Sequence, residues 1–142
     1  MGRILAVDFG ERRVGLAVSD PTATLARPLP TLLRRPGKRA PVAQIARIAA
    51  EHEAVTVVVG LPLDLSGDET PWTQTVRDFG TKLASASGIA VEYLDERLTS
   101  VMAERAVRSL GLKRSERERK DRIDAMAAVM ILQAWLDRNH AE

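Results

Sequence analysis

The chain has 142 residues, 45% of them hydrophobic, with no cysteine, which excludes disulfides, a thiolate nucleophile and a cysteine-based zinc site and leaves oxygen, His52 or His140 to hold any metal. Twenty-one Lys and Arg against nineteen Asp and Glu give a formal net charge of +2, too mild to mark a polyanion binder by itself. The longest apolar run falls short of the ~20 residues that span a bilayer, and a strand pattern begins at once without a signal-peptide core, so a cytoplasmic, single-domain globule with no membrane partner is expected over residues 1–142.

Ile4 to Val7 is an apolar run with the length of a buried strand and leads straight into Asp8. After a short polar turn, Val14, Leu16 and Val18 alternate with Gly15 and Ala17 as a second strand. Asp20-Pro21 marks a turn, and Pro28 and Pro30 suit an edge strand, predicted over Pro30 to Leu33. The basic loop Arg34 to Arg39 follows, and Pro41 opens a helix whose face is Val42, Ile45, Ala46 and Ala49 and which ends near His52.

Ala54 to Val59 is almost continuously β-branched, the mark of a central parallel strand covered on both faces, and Gly60-Leu61-Pro62 is expected to terminate it. Beyond the polar loop Asp64 to Glu69, Thr70-Pro71 forms an N-cap and first-turn pair for a helix through Val76, Phe79 and Leu83 that Gly88 stops. Ile89 to Leu94 is the fifth strand. Asp95-Glu96-Arg97 comes next, and Thr99 or Ser100 caps a helix through Ala103, Ala106, Val107 and Leu110 to Gly111. The charged run Lys113 to Arg122 reads as a mobile surface segment, and the last helix, Asp121 to about Asp137, is apolar almost all round from Ala125 to Leu136 and must be buried on most sides.

The order β-β-β-α-β-α-β-α-α implies an α/β fold with a five-stranded mixed sheet, three antiparallel strands then βαβαβ, flanked by helices. If the first strand pairs in parallel with the fourth and fifth, Asp8, Gly60 and Asp95-Glu96 all reach the carboxyl edge, where open α/β sheets place their ligands. Asp8 can serve there as a stabiliser of the turn at Gly10 or as a metal ligand, because an ionised carboxylate at a buried strand end needs a partner. Asp124, near the start of the last helix, can answer the helix dipole or join the same site, and Asp121 lies one turn earlier. Combined, carboxylates from two strand ends and a helix are hard oxygen ligands suited to Mg²⁺ or Mn²⁺. Two such ions about 3.5–4 Å apart hydrolyse phosphodiesters, with Asp8 bridging and Glu96 and Asp124 completing the shell.

Four strings, Asp8-Phe9-Gly10 with Arg13 to Asp20, Val59-Gly60-Leu61-Pro62-Leu63, Asp95-Glu96-Arg97-Leu98-Thr99-Ser100, and Ile123 to Val129 with Ile131-Leu132-Gln133, resemble the YqgF family, also called RuvX, in order and over essentially the whole chain. The resemblance implies an RNase H-like fold related to Holliday-junction resolvases. It also implies a metal-dependent nuclease associated with maturation of the 5′ end of pre-16S ribosomal RNA, with Asp8, Glu96 and Asp124 as its catalytic and metal-binding acids. Glu11 stands where many relatives carry threonine, and no role is assigned to it.

Arg12, Arg13 and Arg97 lie beside these acids and are read as substrate-phosphate contacts, the alternative being that they pair with the acids themselves. The loop at 34–39 and the run at 113–122 offer positive charge to a nucleic-acid backbone. Trp72 and Trp135 fall within helical apolar patterns and are expected to pack against the sheet. The expected partner is structured RNA such as precursor rRNA, with branched DNA second, and the sequence leaves a homodimer open. Two rivals stand beside a nuclease. Asp8-x-Gly10 followed by Gly15 also resembles the phosphate turn of actin-like and sugar-kinase ATPases, which need a second large domain, and a non-catalytic nucleic-acid-binding or ribosome-assembly module would keep the acids for stability.

Overall fold

The computed structural model describes residues 2–35, 39–99 and 116–141, with side chains throughout these except at positions 98, 116–124 and 141. Its strands are β1 (Arg3–Phe9), β2 (Arg13–Ser19), β3 (Ala26–Leu33), β4 (Ala54–Leu61) and β5 (Ala90–Asp95), and its helices are α1 (Val42–Glu51), α2 (Pro71–Ser87) and α3 (Glu116–Ala141). They form one sheet in the order β3-β2-β1-β4-β5. β1 runs antiparallel to β2 and parallel to β4, and β5 is parallel to β4, as the order of elements implied.

The period-2 alternation of the strands sorts the core into two layers. Leu5, Val7 and Phe9 of β1, with Leu16, Val18, Val57 and Val59, face Ile45 and Ala49 of α1 and Val76, Phe79 and Leu83 of α2. On the other face Ile4, Ala6, Ala17, Val58 and Leu94 meet Ala128, Ile131, Leu132, Trp135 and Leu136 of α3. The alanines let α3 lie close to the sheet, and no residue of α3 from Ala125 to Leu136 is exposed, as its apolar pattern required. Trp135 is buried there, with its indole N–H directed to Glu92 at 3.4 Å.

β5 is shifted by one residue and the last helix runs on to Ala141, and three other boundaries differ from the sequence reading in ways that matter to the fold. β3 begins at Ala26, not Pro30, and its pairing with β2 jumps from Val14↔Leu32 to Leu16↔Leu29, so one extra residue on β3 is taken up as a bulge beside Pro30. An edge strand tolerates prolines whose missing N–H would face no neighbour. β4 continues through Gly60 to Leu61, which pair with Leu94 and Asp95 of β5. α3 starts at Glu116, so the end of the charged run is helical, in keeping with the good helix propensity of its Glu, Arg and Lys. The helix predicted between Ser100 and Gly111 lies outside the described residues.

Thr70 caps α2 reciprocally with Thr73: the Thr73 N–H donates to Thr70 Oγ1 at 3.3 Å and the Thr70 N–H to Thr73 Oγ1 at 2.9 Å. Thr73, fully buried, also donates its hydroxyl to the carbonyl of Pro62, tying the helix start to the end of the β4 segment. At the other end Gly88 takes the left-handed conformation, φ 70°, that a helix stop of this kind favours. Replacing Thr73 with Val keeps the volume and removes the hydroxyl's bonds to the Thr70 N–H and the Pro62 carbonyl, and is expected to lower unfolding stability by about 1–3 kcal/mol in urea denaturation. An unchanged midpoint would show that these bonds contribute nothing net.

Candidate active site at the carboxyl edge of the sheet

Asp8 follows Ile4 and Ala6 in the strand alternation, so it falls on the α3 face, opposite Gly15 of β2. The last β1–β4 pair is Val7↔Val59, which sets Asp8 level with Gly60. Beyond β5, Glu96 opens a 3-10 turn, Glu96–Leu98, whose N-cap is Asp95. The carboxyl carbon of Glu96 lies 3.8 Å from the point that a β-carbon on Gly60 would occupy, and Ile131 Cδ1 of α3 lies 2.6 Å from it. The bare Cα of Gly60 is thus the floor on which β1, the β5 turn and α3 meet. A tight turn supports Asp8 from the other side: the Gly10 N–H bonds the Arg13 carbonyl at 2.9 Å, and any β-carbon on Gly10 would stand 2.6 Å from that oxygen.

The structure therefore brings Asp8 and Glu96 to one edge and one face. Asp124 belongs to α3, one turn before Ala127 and Ala128, and its side chain is outside the described residues. Among the described residues, no three Asp, Glu, His or Cys side chains gather closely enough to hold a metal. The donor chemistry at the edge, two carboxylates with no sulfur, suits a hard divalent cation. His52, at the C-cap of α1, and His140, whose ring bonds the Ala23 carbonyl, are not part of this edge.

The arginines are placed differently from one another. Arg97 is engaged by Asp95: Nε lies 3.0 Å from both carboxylate oxygens, Nη2 is 2.5 Å from Oδ2, and the Arg97 backbone N–H donates to Oδ1 at 3.0 Å. These bonds hold the Asp95 carboxyl below the usual carboxylate range and push Arg97 up. Arg97 Nη1 also reaches the Leu65 carbonyl at 3.4 Å, so the loop after β4 is tied to the residue next to Glu96. That loop is internally built, with Asp64 Oδ1 accepting from the N–H and hydroxyl of Ser66 and from the Asp68 N–H, and it presents Leu65 at 98% exposure. Arg12 is exposed on the turn beyond Asp8, and Arg13 is half-buried at the start of β2.

Sequence reasoning missed Arg34. It stacks on the Phe9 ring, 4.6 Å from the centroid, and donates from Nη1 to the Gly10 carbonyl at 2.9 Å. Nothing in the run Arg34-Arg35 distinguishes the inward residue from the outward one; only its place, one step past the last β2–β3 pair Arg13↔Leu33, does. Phe9 is in turn stacked on Phe79 at 4.1 Å and Trp72 at 5.8 Å, so Trp72 packs on the core as expected.

Residues 2–138 match the family model described as RuvX: Holliday junction resolvase. The chain belongs to the RuvX family. A relative from Chloroflexus aurantiacus, named pre-16S rRNA nuclease, is 48% identical over 134 residues, covering 94% of this chain and 86% of its own. One of the same name from Anaeromyxobacter dehalogenans is 44% identical over 136 residues, covering 96% of this chain and 97% of its own. Among solved structures, Thermus thermophilus RuvC is similar at a TM-score of 0.58 and 18% identity, covering 97% of this chain and 96% of that one. The T. thermophilus RuvC complex with a Holliday junction substrate gives 0.57 and 20%, with 96% of each chain covered. The fold of this RuvX chain is thus RNase H-like, and the motifs that suggested the family lie at the ends of β1, β4 and β5 and along α3. No helix among the described residues is long and apolar enough to cross a membrane.

The Asp95–Arg97 pair sets a pH dependence. Because the folded Asp95 pKa is depressed, the contribution of the pair is complete above the unfolded aspartate value and is lost as pH falls through the lower folded value. Carboxyl-carbon NMR is expected to give Asp95 a midpoint below 3.8, which rises in Arg97→Ala as the side-chain bonds are lost and the backbone N–H bond remains. A normal midpoint in the unaltered protein would mean that the pair does not form in solution.

Proposed function

We propose that this RuvX-family protein is a nuclease that hydrolyses phosphodiester bonds with divalent metal, Mg²⁺ or Mn²⁺, held by Asp8, Glu96 and Asp124, and that it acts in the cytoplasm on structured RNA in 5′-end maturation of pre-16S rRNA. The observation that supports this reading is that Asp8 falls level with Gly60 on the face that α3 covers, while the Glu96 carboxyl carbon lies beside Gly60. The relatives named pre-16S rRNA nuclease, of nearly the same length, favour RNA as the substrate. The family description favours a second reading, resolution of branched DNA.

Bound divalent cations supply the activation of water and the stabilisation of the leaving oxygen. The chain's own residues do the rest. Asp8, fixed by a strand paired on both sides, and Glu96, fixed by the 3-10 turn, provide acceptors that do not reorganise as charge develops. Arg12 and Arg13, on the turn that follows Asp8, bring positive charge to the phosphates that flank the scissile bond. Arg97 reaches a substrate phosphate by exchanging it for Asp95, which makes its contribution conditional on substrate.

Asp8→Asn is nearly isosteric and is expected to abolish Mn²⁺-dependent cleavage of a pre-16S rRNA fragment and of a four-way DNA junction while leaving the thermal transition in place. Full activity in that variant sinks the mechanism. Tight binding of either substrate by the unaltered protein, with no cleavage in excess Mn²⁺, would replace the nuclease with a binding module.

A further inference from the structure

We infer that Arg34 is a positioning residue, which staples the β1–β2 turn and so fixes where Asp8 stands; this rests on the nuclease reading of Asp8. The ladder between β2 and β3 ends at Arg13↔Leu33. One residue further, the Arg34 backbone N–H donates to the Arg12 carbonyl at 2.7 Å, and its guanidinium Nη1 donates to the Gly10 carbonyl at 2.9 Å. A single residue just past the edge strand therefore bonds both limbs of the turn. Within that turn the Gly10 N–H bonds the Arg13 carbonyl, and Glu11 and Arg12 are exposed.

The guanidinium is drawn inward rather than offered to a ligand. Its Cζ lies over the ring of Phe9, the neighbour of Asp8, on the side of the sheet that holds the Phe79 and Trp72 rings. Arg34 Nε is buried, and among the described residues it has no hydrogen-bond partner. Leaving such a donor unsatisfied is unfavourable, and a phosphate-tracking arginine would keep it in water, as the exposed Arg35 can. The sequence assigned both arginines to one basic loop; their environments separate them. Lysine supplies neither the flat face for Phe9 nor a donor held in its plane. The turn lies two residues beyond Asp8, and displacements of about 1 Å at a catalytic group can cost on the order of a hundredfold in rate.

The test compares the unaltered protein with Arg34→Met, Arg34→Lys and Asp8→Asn. Three readouts are taken: amide exchange at residues 10–13, calorimetric titration of MnCl₂ without nucleic acid, and steady-state cleavage of the four-way DNA junction and the pre-16S rRNA fragment. Arg34→Met is expected to accelerate exchange at the turn, raise the Mn²⁺ concentration for half-saturation about tenfold, and lower kcat roughly 10- to 100-fold with KM and salt dependence unchanged. Arg34→Lys should recover only part of each. If the turn exchanges as before and KM rises while the slope of binding against salt falls by about one, Arg34 is a phosphate contact and the inference is overturned.

A protein that neither binds Mn²⁺ nor cleaves would refute the nuclease reading instead. The staple would then still be decided by exchange: acceleration confined to 10–13 upholds it, and unchanged exchange in Arg34→Met removes it. If Arg34→Met does not fold, the same readouts on Arg34→Lys decide, with unchanged exchange and Mn²⁺ affinity again overturning the inference.

Discussion

The structure depends on β1 being enclosed on every side. Its backbone groups are taken up by antiparallel β2 on one flank and parallel β4 on the other, and its two faces are covered by α1 and α2 and by α3. A strand in that position cannot slip by one residue without exchanging Leu5, Val7 and Phe9 for Ile4, Ala6 and Asp8, which would drive a carboxylate into the aromatic core beneath Phe79. Register is therefore enforced by hydrophobic burial, and the same burial places Asp8 on the α3 face at the strand end. The geometry of the candidate site is inherited from core packing.

Strand and helix identity was legible where side-chain periodicity is strong. Ile4 to Val7, Val14 to Val18 and Ala54 to Val59 read correctly because each is dominated by packing against both layers. The prolines of β3 pointed to an edge strand but hid its length, since a bulge decides where such a strand begins and no local residue encodes a bulge. Gly60 looked like a terminator and proved to be the floor of the site, because a glycine's tertiary reason, close approach by Ile131 and Glu96, comes from residues far away in sequence.

The candidate site was half legible for the same reason. Asp8 and Glu96 could be brought to one edge by topology alone, as both lie at the carboxyl side of parallel-paired strands. The loop from Asp64 to Asp68 and its attachment through Arg97 could not, since that attachment spans β4, α2 and β5 and rests on one guanidinium that also serves Asp95. Arg34 shows the limit most clearly: one of two adjacent arginines turns inward, and the choice is made by the carbonyls of a turn that precedes it by more than twenty residues.

The contact at Gly60 has an evolutionary consequence. Because Ile131 Cδ1 lies 2.6 Å, and the Glu96 carboxyl carbon 3.8 Å, from where a β-carbon on residue 60 would stand, positions 60 and 131 share one volume beside Glu96. A methyl gained on β4 would meet the Cδ1 end of Ile131, which would have to turn aside, so the side-chain volumes at 60 and 131 are coupled across the sheet–helix interface.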